Sequence, residues 1–177
     1  MILFWLVVSQ NGTQKLCRWY APFTEEEQTW VLLQVKQQLL LPRPEAADSS
    51  NGAARESSRE NETSRVLMFP PLHSSRESDS SSSRAVFRQH GPLYCAAGIN
   101  AEETPLVIGE LIDLWVGVLQ QLLGVPAAAG SAVLETQLSL HIEPALLLLD
   151  TMLQQGYLVC TDTETLLARV RELMKQD

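Results

Sequence analysis

The stretch MILFWLVVSQNGTQKLCRWY, residues 1–20, decides the fold of this chain. Its apolar run over residues 2–8 stops at Ser9-Gln10-Asn11-Gly12, and a second run then alternates apolar and polar residues as far as Trp19-Tyr20. Asn-Gly between two hydrophobic runs predicts a β-hairpin with a type I′ turn, because both residues tolerate the positive φ of that turn. The first strand is apolar on both faces, which predicts a central strand covered on both sides of its sheet.

Composition and charge exclude several classes of protein. The 177 residues are 45% hydrophobic, as in an ordinary globular protein, and a net charge of −8 argues against binding nucleic acid by phosphate neutralisation. Cys17, Cys95 and Cys160 form no Cys-x-x-Cys pair, so neither a disulfide framework nor a zinc site is predicted. The N-terminus lacks the features of a signal peptide, and the nearest approach to a membrane span, residues 114–129, is interrupted. We therefore expect a cytosolic, reduced protein.

The middle of the chain changes character after the first helix. Thr24-Glu25-Glu26-Glu27 predicts the capping box of a helix that ends before Pro42 and covers one face of the hairpin. Residues 42–84 are rich in serine and carry balanced charges, which predicts a disordered insertion. One apolar island, Val66-Leu67-Met68-Phe69, predicts a short strand within it. The SSRE motif at Ser74 is a candidate phosphorylation site, and the alternative is a solvated insertion with no role.

The second half predicts further strands and then helices. Strand patterning resumes over residues 85–99, around Gly91-Pro92. Thr104-Pro105 predicts the start of a helix that is apolar nearly all round, so it is either central to the domain or buried against a partner. Three helical segments follow, and Thr161-Asp162-Thr163-Glu164 begins the last. The order β-β-α-β-β-β-α-α-α-α predicts an α+β domain, with antiparallel strands and helices packed on the faces.

No pattern in the chain predicts an enzyme. His73, His90 and His141 have no nucleophile or carboxylate at a recognisable spacing, and no glycine-rich phosphate loop follows a strand. Cys17 and Cys95 fall within predicted strands, where small core residues are expected. A hydrolase built on Cys160 or Cys17 remains an alternative that lacks a base.

Several motifs together resemble the small (sigma) subunit of the clathrin-associated adaptor complexes. They are MI-x-F-x-L at the start, NG-x-x-x-L-x-x-WY in the hairpin, FR-x-x-x-x-LY from Phe87 to Tyr94, the helix over 106–123, and LD-x-M-x-x-x-G from Leu149 to Gly156. The resemblance implies a longin-like fold: a five-stranded antiparallel sheet with helices on both faces. It forms a single domain over residues 1–177, interrupted by the insertion at 42–84. Arg88-Gln89 and Gly98-Ile99-Asn100 are also similar to the sigma subunit of the fourth-type complex.

The resemblance further implies a non-catalytic peptide site without metal or cofactor. Sigma subunits recognise acidic dileucine signals in cargo tails, in which an acidic residue stands four places before a Leu-Leu or Leu-Ile pair. The matching positions are Lys15 for the acidic residue and, for the leucine pocket, Gly91, Leu93, Val116, Val133 and Leu138. The family uses a guanidinium where this chain has Lys15, which keeps the charge and loses the bidentate geometry. For each pocket residue the alternative is simple core packing.

The expected partners follow from the same resemblance. We expect a large adaptor subunit to clasp this chain within a heterotetramer, peripheral on Golgi, endosomal or coated-vesicle membranes and active in vesicle-mediated transport. The segment over 135–142 departs from the family's ELDLVFNF by losing an acidic residue and the aromatics. The alternative function is another longin-type trafficking module, such as a regulatory domain of a coat or membrane-fusion protein, without dileucine binding.

Overall fold

The computed structural model describes residues 1–40, 65–69, 83–126 and 131–175. The strands in these ranges are β1 Ile2–Ser9, β2 Gln14–Trp19, β3 Arg65–Phe69, β4 Ser83–His90, β5 Leu93–Ile99, β6 Leu153–Gln154 and β7 Tyr157–Leu158. The helices are α1 Glu25–Leu40, α2 Pro105–Leu122, α3 Ser131–Leu140, α4 Ile142–Met152 and α5 Thr163–Leu173. Five strands form an antiparallel sheet in the order β2-β1-β5-β4-β3, and β6 pairs with β7 as a separate hairpin. The predicted α+β class and five-stranded sheet are confirmed.

Strand β1 lies inside the sheet between β2 and β5, and all of its residues are buried. Trp5 and Val7 face the main core, which we define as the buried cluster shared by the sheet with α2, α3, α4 and α5. Phe4 and Leu6 face the opposite cluster, which α1 covers with Val31 and Val35. Helices therefore cover both faces of the sheet, and the prediction of a central strand is confirmed.

The hairpin predicted at Asn11-Gly12 is present, but its turn is not type I′. A type I′ turn needs a positive φ at both Asn11 and Gly12. Gly12 has a φ of +80°, but Asn11 does not have a positive φ, because Gln155 is the sole non-glycine in the described ranges that does. The Asn11 side chain instead accepts a hydrogen bond from the Thr13 N–H at 3.1 Å, and the Gly12 N–H donates to the Ser9 carbonyl. An Asn side chain that bonds the backbone two residues ahead replaces the predicted geometry.

A β-bulge follows this turn. Val7 pairs with Leu16 and Val8 pairs with Gln14, so Lys15 has no partner position on β1 and the register shifts there. A bulge sets two residues of one strand against one of its neighbour and breaks the alternation of side chains between the faces. Lys15 is the extra residue.

Side-chain caps form at two of the three helix starts for which the sequence predicts them. The Thr24 N–H donates to the Glu27 carboxylate at 2.8 Å, and the Glu27 N–H donates to the Thr24 hydroxyl at 3.3 Å, which completes the capping box of α1. Pro105 begins α2, although Thr104 at the N-cap makes no side-chain capping bond. Asp162 caps α5 by accepting a backbone N–H of the first turn at 2.9 Å.

Strand β3 confirms the short strand predicted within the insertion. It pairs with β4, whose first residue is Ser83, so the predicted insertion boundary at 84 falls inside a strand. Ser83 and Arg84 join the sheet because they pair with Phe69 and Met68 of β3. The remainder of the predicted insertion, residues 42–64 and 70–82, lies outside the described residues, as does the SSRE motif at Ser74.

Helix α2 is the longest helix described and packs against β4, β5, α4 and α5. By length and composition its 18 residues, with a mean hydropathy of 1.3, would be sufficient to cross a membrane, although no such span is predicted from the sequence pattern. In the fold, 44% of this segment is buried, and the core helix of a soluble protein can be as long and as apolar as a membrane span. Its apolar character is therefore explained by its central position, apart from Leu106 and Val107, which remain exposed.

Candidate functional site

Lys15 reaches from the sheet to helix α3. Its ammonium nitrogen lies 3.3 Å from Glu135 Oε1 and donates a hydrogen bond to Ser139 Oγ at 2.8 Å. The two α3 residues are four positions apart, so they lie on the same side of the helix. The side chains of Lys15 and Glu135 are 19% and 24% exposed, so this ion pair is partly buried.

The bulge in β2 explains the direction of Lys15. Strict alternation would put Lys15 on the α1 side of the sheet, because Leu16 faces the main core. Helix α3 lies on the main-core side, where Leu134 and Leu138 are buried. As the extra residue of the bulge, Lys15 can turn toward the same side as Leu16. The bulge therefore decides which helix Lys15 meets.

Three residues predicted for the leucine pocket come together in the main core. Leu93 from β5, Val116 from α2 and Leu138 from α3 are 1%, 3% and 0% exposed. Their side chains are covered by neighbours from this chain, which is the core packing expected as the alternative to a pocket. All three therefore belong to one buried cluster and have almost no surface left for a ligand.

The other two predicted pocket residues lie at the margin of this region. Val133 is on α3 and is 40% exposed. Gly91 occupies the β4–β5 turn with a φ of +58°. That turn is joined to the β1–β2 turn, because the Gln10 N–H donates to the Pro92 carbonyl at 2.7 Å. The two turns lie at the same end of the sheet, and Lys15 follows one of them.

Sequence reasoning missed the partners of Lys15. Glu135 and Ser139 lie in the segment 135–142, whose pattern indicated only a departure from the family, yet both contact the Lys15 ammonium. Ser139 Oγ also donates to the Glu135 carbonyl at 2.9 Å, which links the two residues along the helix. The available signal was the spacing of an acid and a hydroxyl at i and i+4, but this spacing does not indicate which strand lies opposite.

A charged cluster fastens β4 to α2 just before the Gly91 turn. The buried guanidinium of Arg88 lies 3.3 Å from Asp113 and 3.7 Å from Glu110, and His90 Nε2 lies 3.1 Å from Asp113 Oδ1. The guanidinium also covers Gly109, where a Cβ atom would lie 2.9 Å from it. A buried cation needs such partners to offset its desolvation. This cluster positions the strand that leads into the candidate site.

A separate open groove of about 780 Å³ lies beside the β6–β7 hairpin. Its lining residues include Met1, Arg18, Tyr20, Asp150 and Tyr157, and none of the six residues predicted for peptide binding. Arg18 contacts both carboxylate oxygens of Asp150 at 2.7 Å. Burial and the nearby Asp150 carboxylate raise the pKa of Tyr20 above its usual range. The charges in this groove are therefore already paired.

The thiols in the sheet are poor nucleophiles. Burial raises the pKa of Cys17 to about 11, and burial together with the Asp113 carboxylate raises the pKa of Cys95 to about 12. Both thiols are protonated at neutral pH, whereas the thiolate is the reactive form. Within the part of the chain that the structure describes, no group of three or more His, Cys, Asp or Glu residues could hold a metal ion.

Comparisons with known proteins give a consistent result. A family model described as the clathrin adaptor complex small chain matches residues 1–177. The AP-2 complex subunit sigma of Emericella nidulans is 24% identical over 175 residues, which are 99% of this chain and 98% of that protein. A chain in a homology model of the full-length AP-3 complex in a stretched open conformation superposes with a TM-score of 0.62. It is 20% identical and the match covers 99% of this chain and 95% of that chain, a likeness that shows the fold.

Proposed function

The chain belongs to the clathrin adaptor complex small chain family, and from this premise we propose its place in the cell. It is a small, sigma-type adaptor subunit in membrane trafficking. We propose that it has no catalytic activity and works within a heterotetrameric adaptor complex. The complex would place it on the cytoplasmic side of Golgi, endosomal or coated-vesicle membranes as a peripheral component.

Exposed apolar side chains support the proposal of a large partner subunit. Leu106 and Val107 at the start of α2 are 66% and 54% exposed, and Tyr157, Leu158 and Val159 form a run that is at least 45% exposed. Contiguous apolar residues at the surface of a soluble protein mark interaction sites. A large adaptor subunit that clasps the chain would cover them.

We further propose that the chain helps to bind acidic dileucine signals in cargo tails. The observation that carries this proposal is the Lys15 ammonium, which lies 3.3 Å from the Glu135 carboxylate and contacts Ser139, the residue after Leu138 of the main core. Leu93 and Val116 belong to the same main core. A cation next to an apolar cluster is the chemistry that an acidic residue followed by two leucines requires. Gly91 and Val133 border the same region and complete the proposed site.

The expected affinity of a single site is weak. Burying two leucines contributes about 3–6 kcal/mol, whereas micromolar binding needs about 8 kcal/mol in addition to the entropy lost on association. Contacts to the Lys15 ammonium and to the peptide backbone must supply the difference. Useful capture of cargo would depend on many copies of the complex on one membrane.

The test uses the adaptor complex with which the chain co-purifies and a labelled peptide that carries a glutamate four places before Leu-Leu. We expect Val133→Asp and Lys15→Glu each to weaken binding by at least tenfold, because one places a charge in the leucine site and the other repels the glutamate. Val66→Asp on the distant strand β3 is the matched control, since Val66 is 47% exposed. Val116→Asp is a stronger test, but it introduces a charge into the core and needs a check of assembly.

Two outcomes would contradict the proposal. Binding that survives both Val133→Asp and Lys15→Glu would mean that the peptide site lies elsewhere. A complex that binds no dileucine peptide would favour the alternative, a longin-type trafficking module without signal recognition.

A further inference from the structure

We propose that an extended segment of the large adaptor subunit adds as a strand to the free edge of β7, the side of this strand that faces away from β6. This contact rests on the proposed function, in which a large subunit covers the exposed run from Tyr157 to Val159. Backbone groups of Leu158, and not its side chain alone, bond the backbone of the partner. The partner segment carries apolar, uncharged side chains.

The hydrogen bonds of the β6–β7 hairpin show which way the backbone of Leu158 points. Leu158 pairs with Leu153, and at the next position the Val159 N–H donates to the Met152 carbonyl at 2.8 Å. Hydrogen-bonded and non-hydrogen-bonded pairs alternate along antiparallel strands. The pair of Leu153 and Leu158 is therefore the non-hydrogen-bonded one, and the N–H and C=O of Leu158 point away from β6.

This edge is open and held in place. Within the part of the chain that the structure describes, β7 pairs with β6 alone. The hairpin is fastened at its turn, where the Ile2 N–H donates to the Gly156 carbonyl at 2.8 Å. Strand addition to a fixed edge costs less ordering entropy than addition to a loose loop. The donor and the acceptor of Leu158 are thus presented in advance to another backbone.

The side chains around this edge decide the chemistry of the partner segment. Tyr157, Leu158 and Val159 are 61%, 45% and 51% exposed, and residues 153–160 include no charged side chain. The nearest charges in the adjoining groove, Arg18 and Asp150, are paired with each other. An uncovered strand edge with apolar side chains is a template for a further strand. A charged segment would find no opposite charge here, so the segment that fits is apolar.

The size of the edge favours a large subunit over a second copy of the chain. Strand β7 has two residues, so pairing with its own copy would bury far less than the roughly 1,200–2,000 Å² of a stable interface. A large subunit that also covers Leu106 and Val107 buries additional surface elsewhere. The added strand is then one part of a larger contact.

The first test compares Leu158→Pro with its matched control Leu158→Ala. Both remove the leucine side chain, but only proline removes the N–H, and proline is tolerated on an edge strand whose N–H faces outward. Each variant is co-expressed with the large subunit and a differently tagged wild-type chain that competes for it. We expect Leu158→Pro to be incorporated at least tenfold less than Leu158→Ala, because the partner's carbonyl loses its donor. Continued protection of the Ile2 amide from hydrogen exchange in the Leu158→Pro complex shows that the hairpin persists.

The second test needs no substitution and follows hydrogen exchange of the Leu158 amide in the wild-type complex. We expect this amide to exchange at least a hundredfold more slowly than in an unstructured peptide, although it points away from β6. Exchange at the unprotected rate would overturn the inference, as would equal incorporation of the two variants. Protection of Leu158 in a dimer of this chain without a large subunit would assign the edge to a second copy and also overturn it. If no large subunit co-purifies with the wild-type chain, the proposed function itself fails.

Discussion

Gly156 shows how one residue can fix the start of the central strand. Helix α4 ends at Met152, and Gly156 lies beyond it in the β6–β7 turn with a φ of +81°. The Ile2 N–H donates to the Gly156 carbonyl at 2.8 Å, and a Cβ atom on Gly156 would lie 2.2 Å from the Ile2 carbonyl oxygen. No side chain fits there without moving the backbone.

We therefore expect Gly156→Ala to destabilise the protein by about 2–4 kcal/mol, because it combines a strained φ with a backbone clash. Gly117→Ala is the control: this α2 position has no atom within 4 Å of the added Cβ, and alanine should gain about 0.5–1 kcal/mol as the better helix former. Hydrogen exchange of the β1 amides in the co-purified complex measures both changes. Equal stability of the two variants would show that the Ile2 contact is dispensable.

At the scale of single residues, local chemistry could be predicted and distant contacts could not. Thr24 and Glu27 form the predicted capping box because their partners are three positions apart. Lys15 and Ser139 are 124 positions apart, and their contact depends on a bulge that no residue pattern in β2 announces. Asn11 illustrates an intermediate case, since the position of its turn was predicted, but neither the turn type nor the use of its side chain was.

At the scale of elements, the link between β4 and α2 joins the candidate site to the rest of the fold. Arg88 is buried, and Asp113 is its nearer acidic partner at 3.3 Å, while Glu110 lies farther away and is 71% exposed. The same Asp113 also contacts His90, directly before the Gly91 turn. Loss of its charge should loosen both contacts at once.

Asp113→Asn should accordingly destabilise the protein by about 1–3 kcal/mol, less than the loss of a fully buried pair because Glu110 remains. Asp150→Asn removes the exposed partner of Arg18 and should cost less than about 1 kcal/mol. Both substitutions replace an aspartate by an asparagine. A difference between their effects on hydrogen exchange of the β4 and β5 amides therefore reflects the burial of the ion pair and not the loss of the charge alone. A larger effect of Asp150→Asn would contradict the assigned role of the Arg88 cluster.

Strands could be predicted from the sequence where the residue pattern of one short segment is sufficient to identify them. The strand β3 was visible as an apolar island because its flanks are polar, and β1 was visible as central because it is apolar on both faces. The candidate site was accessible only through the family resemblance, which indicated Lys15 and the five pocket positions. The burial of Leu93, Val116 and Leu138 depends on how β5, α2 and α3 pack together, which no single segment encodes.

At the scale of the whole molecule, the apolar residues fall into two groups: those that the helices of the chain cover and those that remain at the surface. The sheet is covered on both faces by helices of the chain itself, so its core is complete. The start of α2 and the strand β7 nevertheless keep large apolar side chains at the surface. A chain with a complete core and uncovered apolar patches is expected to fold and then to associate.

We therefore expect the chain expressed alone to aggregate, and co-expression with its large adaptor subunit to make it soluble. Leu158→Lys together with Leu106→Lys should make the lone chain more soluble and weaken its co-purification with the large subunit, because the same residues drive both processes. Leu173→Lys near the end of α5 is the matched control, since Leu173 is 39% exposed and outside both patches. Size-exclusion chromatography and co-purification yield provide the measurements. A monodisperse wild-type monomer, or a double variant that still assembles fully, would show that these patches are not the subunit interface.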